Sequence, residues 1–204
     1  MDGGIVNKLA FAGVLLLLLL VLSLNSDGNN QGTSPPKVVG WRADGVIEEG
    51  EYAFNHTAEG MAVFLGFNGD DLVVGLRAET PGWVAIGFGG GPGMKNTDIV
   101  IAYVLPNGTV EIKDSYSTGF SGPHEDDRLY GGSFDIKDFG GSEVEGITTV
   151  EFSRSLRTLD GYDFQFLDNG SVRITWAYGP VDDFLSMHSD AGAFNVKMED
   201  IKGG

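Results

Sequence analysis

Ala62-Val63-Phe64-Leu65-Gly66-Phe67, then Asn68-Gly69-Asp70-Asp71, then Leu72-Val73-Val74-Gly75-Leu76, form two short apolar runs around an Asn-Gly pair. Asn-Gly readily adopts the positive φ angles of a tight hairpin turn, so the stretch reads as two antiparallel strands. The same grammar recurs along the chain. Trp83 to Phe88 reads as a strand, and Ile99 to Leu105 and Thr109 to Lys113 flank Pro106-Asn107-Gly108 as a second hairpin. From Gly146 to Arg154, Ile147, Thr149, Glu151 and Ser153 alternate with Thr148, Val150, Phe152 and Arg154. That is the period-two pattern of a strand with two unlike faces. Asn169-Gly170 precedes Ser171 to Tyr178, where Val172, Ile174 and Trp176 share a face, and Phe194 to Met198 reads as the last strand. Arg154 to Asp160 has room for a helical turn. About ten short strands with frequent turn signals predict an all-β protein, an antiparallel immunoglobulin-like β-sandwich.

Composition narrows the function. At 204 residues the chain fits one domain with a short appendage. Its 29 acidic and 13 basic residues give a net charge of −16. Such a surface repels nucleic acid and anionic lipid, so neither is expected as a partner of the domain. Cysteine is absent, which excludes disulfides, thiolate nucleophiles, Cys-ligated zinc and covalently attached haem. A cofactor would have to be held by the backbone, carboxylates, the 3 histidines or the 5 methionines.

Leu9 to Leu24 is an uninterrupted apolar run preceded by Lys8. Its length lies between a signal-peptide core and a bilayer-spanning helix. Residues 1–26 are therefore expected to be a signal peptide or an N-terminal membrane anchor. Residues 27–37, with Pro35-Pro36, form a flexible linker, and residues 38–204 the sandwich domain. The expected location is extracytoplasmic, secreted or held at the outer face of the membrane by the N-terminal segment. Asn55-His56-Thr57, Asn107-Gly108-Thr109 and Asn169-Gly170-Ser171 match the N-glycosylation pattern.

Two loops break the strand pattern. Gly87-Phe88-Gly89-Gly90-Gly91-Pro92-Gly93-Met94-Lys95-Asn96-Thr97-Asp98 lets the backbone approach a flat or bulky group closely. It is no phosphate loop, because no Gly-Lys-Ser/Thr follows. The second, Gly179 to Gly192, contains Met187-His188-Ser189-Asp190. If the strands before them run the same way, both loops lie at one end of the sandwich.

With these loops in view, the chain from about Val38 to Lys197 resembles the DOMON domains, sandwiches found in the cytochrome domain of cellobiose dehydrogenase and in membrane-linked b-type cytochromes. The likeness is carried by Trp83-Val84-Ala85-Ile86-Gly87-Phe88, Gly93-Met94, Thr97-Asp98-Ile99-Val100, Asp114-Ser115-Tyr116 and Thr175-Trp176-Ala177-Tyr178-Gly179. His188, with Gly192 after it, and the opening Trp41-Arg42-Ala43-Asp44-Gly45 add to it. In haem-binding members the methionine after the glycine loop and the late histidine are the axial iron ligands. The resemblance thus implies Met94 and His188 as metal ligands and non-covalent haem b as cofactor. Gly93, Phe88, Trp83 and Tyr178 would belong to the cofactor cleft. The implied function is one-electron transfer, since a thioether and an imidazole fill both axial positions of the iron. Any catalysis would occur on a partner chain: a membrane cytochrome, a quinone-linked complex or a dehydrogenase.

Each residue also has a plainer reading. Met94 could pack at a loop rim, and His188 could be a solvated loop residue. Met187 is a rival to His188, although adjacent residues in extended chain point to opposite sides. His124-Glu125-Asp126-Asp127 reads first as an acidic surface turn and second as a cation site of oxygens and one imidazole. Asp182-Asp183 could solubilise its loop or steer a basic partner. No nucleophile elbow, His-Glu-x-x-His or dinucleotide fingerprint is present. The alternative from another class is a haem-free surface module, most plausibly for carbohydrate, using Trp41, Trp83 or Trp176 as stacking platforms. Alternation with Val172 and Ile174 places Trp176 in the core instead.

Overall fold

The computed structural model describes residues 40–122, 124–166 and 170–202. The apolar N-terminal segment, the linker and Asn169 of the third glycosylation triplet lie outside the described residues. The strands are β1 (Phe54–Ala58), β2 (Met61–Asn68), β3 (Asp71–Ala78), β4 (Val84–Gly89), β5 (Thr97–Val104) and β6 (Val110–Ser117). Then come β7 (Glu125–Asp126), β8 (Ile136–Val144), β9 (Ile147–Ser155), β10 (Ser171–Tyr178) and β11 (Asp190–Lys197). A 3₁₀ turn spans Asp127–Tyr130, and a short helix, α1, spans Met198–Lys202. Two antiparallel sheets form the sandwich, one of 5 strands in the order β1-β2-β3-β9-β8 and one of 6 in the order β11-β10-β4-β5-β6-β7.

The turns explain the pairing. Asn68 pairs with Asp71, which leaves Gly69-Asp70 as the turn of the central hairpin. Two further hairpins, β1–β2 and β8–β9, turn on Glu59-Gly60 (φ 48° and 76°) and Glu145-Gly146 (φ 53° and 75°). Both use two successive positive φ angles, the twist that matches paired strands. Neither turn nor strands β1, β7 and β8 were legible in the sequence, because glutamate rarely takes that conformation. Arg154 to Asp160 does not form the expected helical turn. β9 runs to Ser155, and irregular chain follows.

Inward residues of the 5-stranded sheet, such as Val63, Leu65, Phe67, Leu76 and Phe152, meet Val84, Ile86, Phe88, Val100, Ile174 and Trp176 of the other sheet. Each such side chain stabilises the fold by roughly 1.5–3 kcal/mol relative to exposure. The outer face of the smaller sheet is covered by residues 41–52. Its outward Glu151, 0% exposed, accepts hydrogen bonds from Tyr52 Oη (2.6 Å), Gly45 N–H (2.8 Å) and Asp44 N–H (3.2 Å). Tyr52 in turn accepts from Trp41 Nε1 at 2.8 Å.

Candidate functional site

The outer face of the 6-stranded sheet carries the candidate site. Thr175, Gly87, Ile99 and Ser115 are aligned across β10, β4, β5 and β6, and Ala177, Ala85, Ile101 and Lys113 form the adjacent row. Strands lie about 4.8 Å apart, so each row is about 14 Å wide. The rows consist mainly of small or apolar side chains. A Cβ on Gly87 would collide with Thr175 Oγ1 and, at 2.6 Å, with Thr97 Cγ2, so glycine makes room for these two side chains.

Antiparallel β4 and β10 send their following loops from opposite ends of the sheet, not from one end. The second loop then folds back. Ser189 N–H bonds Tyr178 O at 2.7 Å to close it, and Trp83 Nε1 donates to Ser186 Oγ at 2.8 Å. Phe184 lies over the face, 4.7 Å from the Tyr103 ring and 5.0 Å from Lys113 Nζ. Trp83, Ala85 and Ile101 form a small apolar cluster there, with Tyr103, Ala177 and Phe184 packed against it.

The glycine loop holds Met94 against the loop containing Phe120. The Met94 N–H donates to Phe120 O at 3.3 Å, and the Met94 carbonyl accepts from Thr97 N–H at 3.2 Å. Gly93 has φ 63°, and a Cβ there would lie 2.8 Å from Phe120 O. Only glycine permits this crossing of the two loops. The loop containing Phe120 continues to His124, whose carbonyl accepts from Lys113 Nζ at 2.8 Å. Burial, then the charges of Lys113 and His188, hold the His124 imidazole below its usual pKa. The His188 ring therefore lies near that of His124. Met94 is half-buried and His188 exposed, and Met187 is 82% exposed.

The donor set suits haem on two observations. Thr97 Oγ1, Ser115 Oγ, Thr175 Oγ1 and His124 Nδ1 are buried on this side without a hydrogen-bond partner. Thioether and imidazole are also the axial donors that suit haem iron. Among the residues expected at the cleft, Trp83 and Gly93 belong to this face or its rim. Phe88 instead points into the sandwich, 1% exposed, with its ring edge-on to Phe166. Tyr178 stacks on Trp176 and donates to Glu59 O at 3.0 Å, also away from this face.

Two other expectations change. Asp127 is no part of a surface turn: it is 1% exposed. Trp83, 5% exposed, offers no stacking platform, while Trp176, 4% exposed, lies in the core as its alternation implies. Trp41 does line a cavity of about 360 Å³, with Arg42, Asn68, Asp71, Asp138 and Phe139.

A DOMON domain model matches residues 57–179. DBH-like monooxygenase protein 2 of Mus musculus is 30% identical over 167 residues, covering 82% of this chain and 24% of that protein. DBH-like monooxygenase protein 1 of the same species is 28% identical over 190 residues, 93% of this chain and 26% of that protein. The chain thus spans about a quarter of the length of these relatives. In fold it is similar to the cytochrome b domain of pyranose dehydrogenase from Coprinopsis cinerea, with TM-score 0.53, 17% identity, and 69% and 78% of the two chains covered. It is also similar to the cytochrome domain of Myriococcum thermophilum cellobiose dehydrogenase, with TM-score 0.52, 13% identity, and 74% and 84% covered. The family match covers most of the sandwich, and the chain belongs to the DOMON domain family.

Proposed function

We propose that this chain is an extracytoplasmic one-electron carrier that holds haem b on the outer face of its larger sheet. Met94 and His188 would hold its iron through a thioether and an imidazole. The observation that carries this reading is that the glycine loop bearing Met94 crosses the Phe120 loop, which runs on to His124 beside His188, next to orphaned polar atoms of the sheet. When bound, haem would supply one-electron chemistry, and a thioether ligand from Met94 would favour the reduced state. The chain's own residues would orient it: Phe120 O fixes the Met94 backbone, and Ser186 ties its loop to Trp83. Asp183, exposed beside this face, provides charge for a basic region of a redox partner. That partner would be a membrane cytochrome, a quinone-linked complex or a dehydrogenase, and any substrate oxidation would belong to it. Hemin titration of the wild type, Met94→Ala and His188→Ala tests the assignment. Stoichiometric uptake is expected for the wild type, with uptake or six-coordination lost in either variant. Unchanged uptake and spectrum in both variants would overturn it.

A second reading, a carbohydrate-binding module, is favoured by the Trp41 cavity alone. An aromatic ring beside an amide, carboxylates and a guanidinium suits a polyhydroxylated ligand. Asn68 Oδ1 is buried without a hydrogen-bond partner. Glycan binding abolished by Trp41→Ala would support it; no binding across a broad glycan panel would end it.

A further inference from the structure

At the opposite, inward side of the same sheet edge, Asp98, Asp114, Asp127, Asp160 and Asp163 are all buried. Arg154 balances part of this charge. Its guanidinium meets Asp98 Oδ2 at 2.5 Å and Asp163 Oδ2 at 3.0 Å, with both side chains of each pair nearly inaccessible. Asp98, Asp114 and Asp163 form the triad on the arginine side. A second triad, Asp127, Asp160 and Asp163, brings three carboxylate oxygens within 4.8 Å of one another.

Asp127 makes this second triad more than an acidic cluster. It is 1% exposed, and neither of its carboxylate oxygens has a hydrogen-bond partner. A buried carboxylate without a donor is costly, yet this one is turned towards two more acids. Gly132 keeps the intervening space clear. A Cβ there would sit 2.8 Å from Asp127 Oδ2 and 2.8 Å from Asp160 Oδ2. Any side chain at this position would therefore crowd the two carboxylates, which only glycine leaves free to face each other. Asp160 is already oriented by donors from Ser133 N–H (2.5 Å) and Tyr162 N–H (2.7 Å).

We propose that Asp127, Asp160 and Asp163 form a calcium site. The donors are hard oxygens only, which excludes soft-metal preference, and calcium tolerates irregular coordination where magnesium demands an octahedron. The ion joins the 3₁₀ turn after β7 to the irregular chain after β9, two segments with no strand pairing between them. The site does not depend on haem: a chain that takes no haem would still bind calcium.

The test uses the full chain stripped with EDTA. Terbium is added as a calcium stand-in, excited through the tyrosines. Tyr162 adjoins the triad and packs 5.1 Å from Tyr116. One equivalent of sensitised emission, displaced by CaCl2, is expected. Calcium at about 100 times its Kd should raise the Tm by roughly 5–10 °C. Asp127→Asn should abolish the calcium response while melting higher than the wild type in EDTA, because it removes an unneutralised buried charge. Gly132→Ala retains every carboxylate and should also lose the response. Identical melting in EDTA and CaCl2 without sensitised emission would overturn the proposal. So would an unchanged response in both variants, which would place the ion on exposed acids elsewhere.

Discussion

Arg154→Met is the substitution whose cost the structure defines best. Arg154 is 1% exposed on the inward face of β9, with its guanidinium 5.8 Å from the Phe88 ring centre and 5.9 Å from that of Phe166. Methionine keeps much of the apolar packing but leaves Asp98 and Asp163 buried without their countercharge. Breaking a buried pair from one side costs about 3–5 kcal/mol, a large share of the 5–15 kcal/mol typical of a whole domain. The expected fall in Tm is roughly 10 °C. The cost should depend on pH in a defined direction. Asp163 is pushed up to about 6, and burial raises Asp98 as well, even with Arg154 present. Loss of the arginine raises both further. Their folded-state pKa values then exceed the unfolded ones, so the folded protein binds more protons and loses stability as pH rises through about 4 to 8. Urea unfolding of both proteins in EDTA at pH 5 and pH 8 should show the larger deficit at pH 8. A deficit equal at both pH values, or one below about 1 kcal/mol, would refute the reasoning.

Other substitutions probe the two covers of the sandwich. Glu151→Gln replaces one acceptor oxygen by an N–H2, which must face either Tyr52 Oη or the Gly45 and Asp44 N–H groups. It should cost about 1.5–3 kcal/mol and shift Trp41 fluorescence to the red as residues 41–52 loosen; an unshifted spectrum would count against this. Trp83→Phe removes the bond to Ser186 Oγ, worth about 1 kcal/mol. Hydrogen exchange should quicken in residues 179–189 while β2 and β3 stay protected; uniform change across the domain would contradict a local tie.

Much of the fold was legible because its central hairpins announce themselves. Asn68-Gly69 and Pro106-Asn107-Gly108 mark turns between apolar runs, and the alternation of β9 separates the two faces that the structure shows. β1 was hidden by the polar run Asn55-His56-Thr57, and β8 by Gly140-Gly141 among charged residues. The two loops bearing Met94 and His188 stood out by composition, but not the fold-back that brings His188 near His124, since it depends on Phe184 and Ser186 packing across the sheet. The aspartate triads were the least legible, because residues 98, 127, 160 and 163 are far apart in sequence. One signal was present. Arg154 shares a strand face with Val150 and Phe152, and an arginine among core residues requires buried carboxylates nearby.

The most direct test of the electron-carrier account is an absorption spectrum of the full chain, expressed with haem supply and recorded before and after dithionite. The account predicts a six-coordinate b-type spectrum with sharp reduced bands, lost in both Met94→Ala and His188→Ala. A colourless protein that also takes up no added hemin would contradict it.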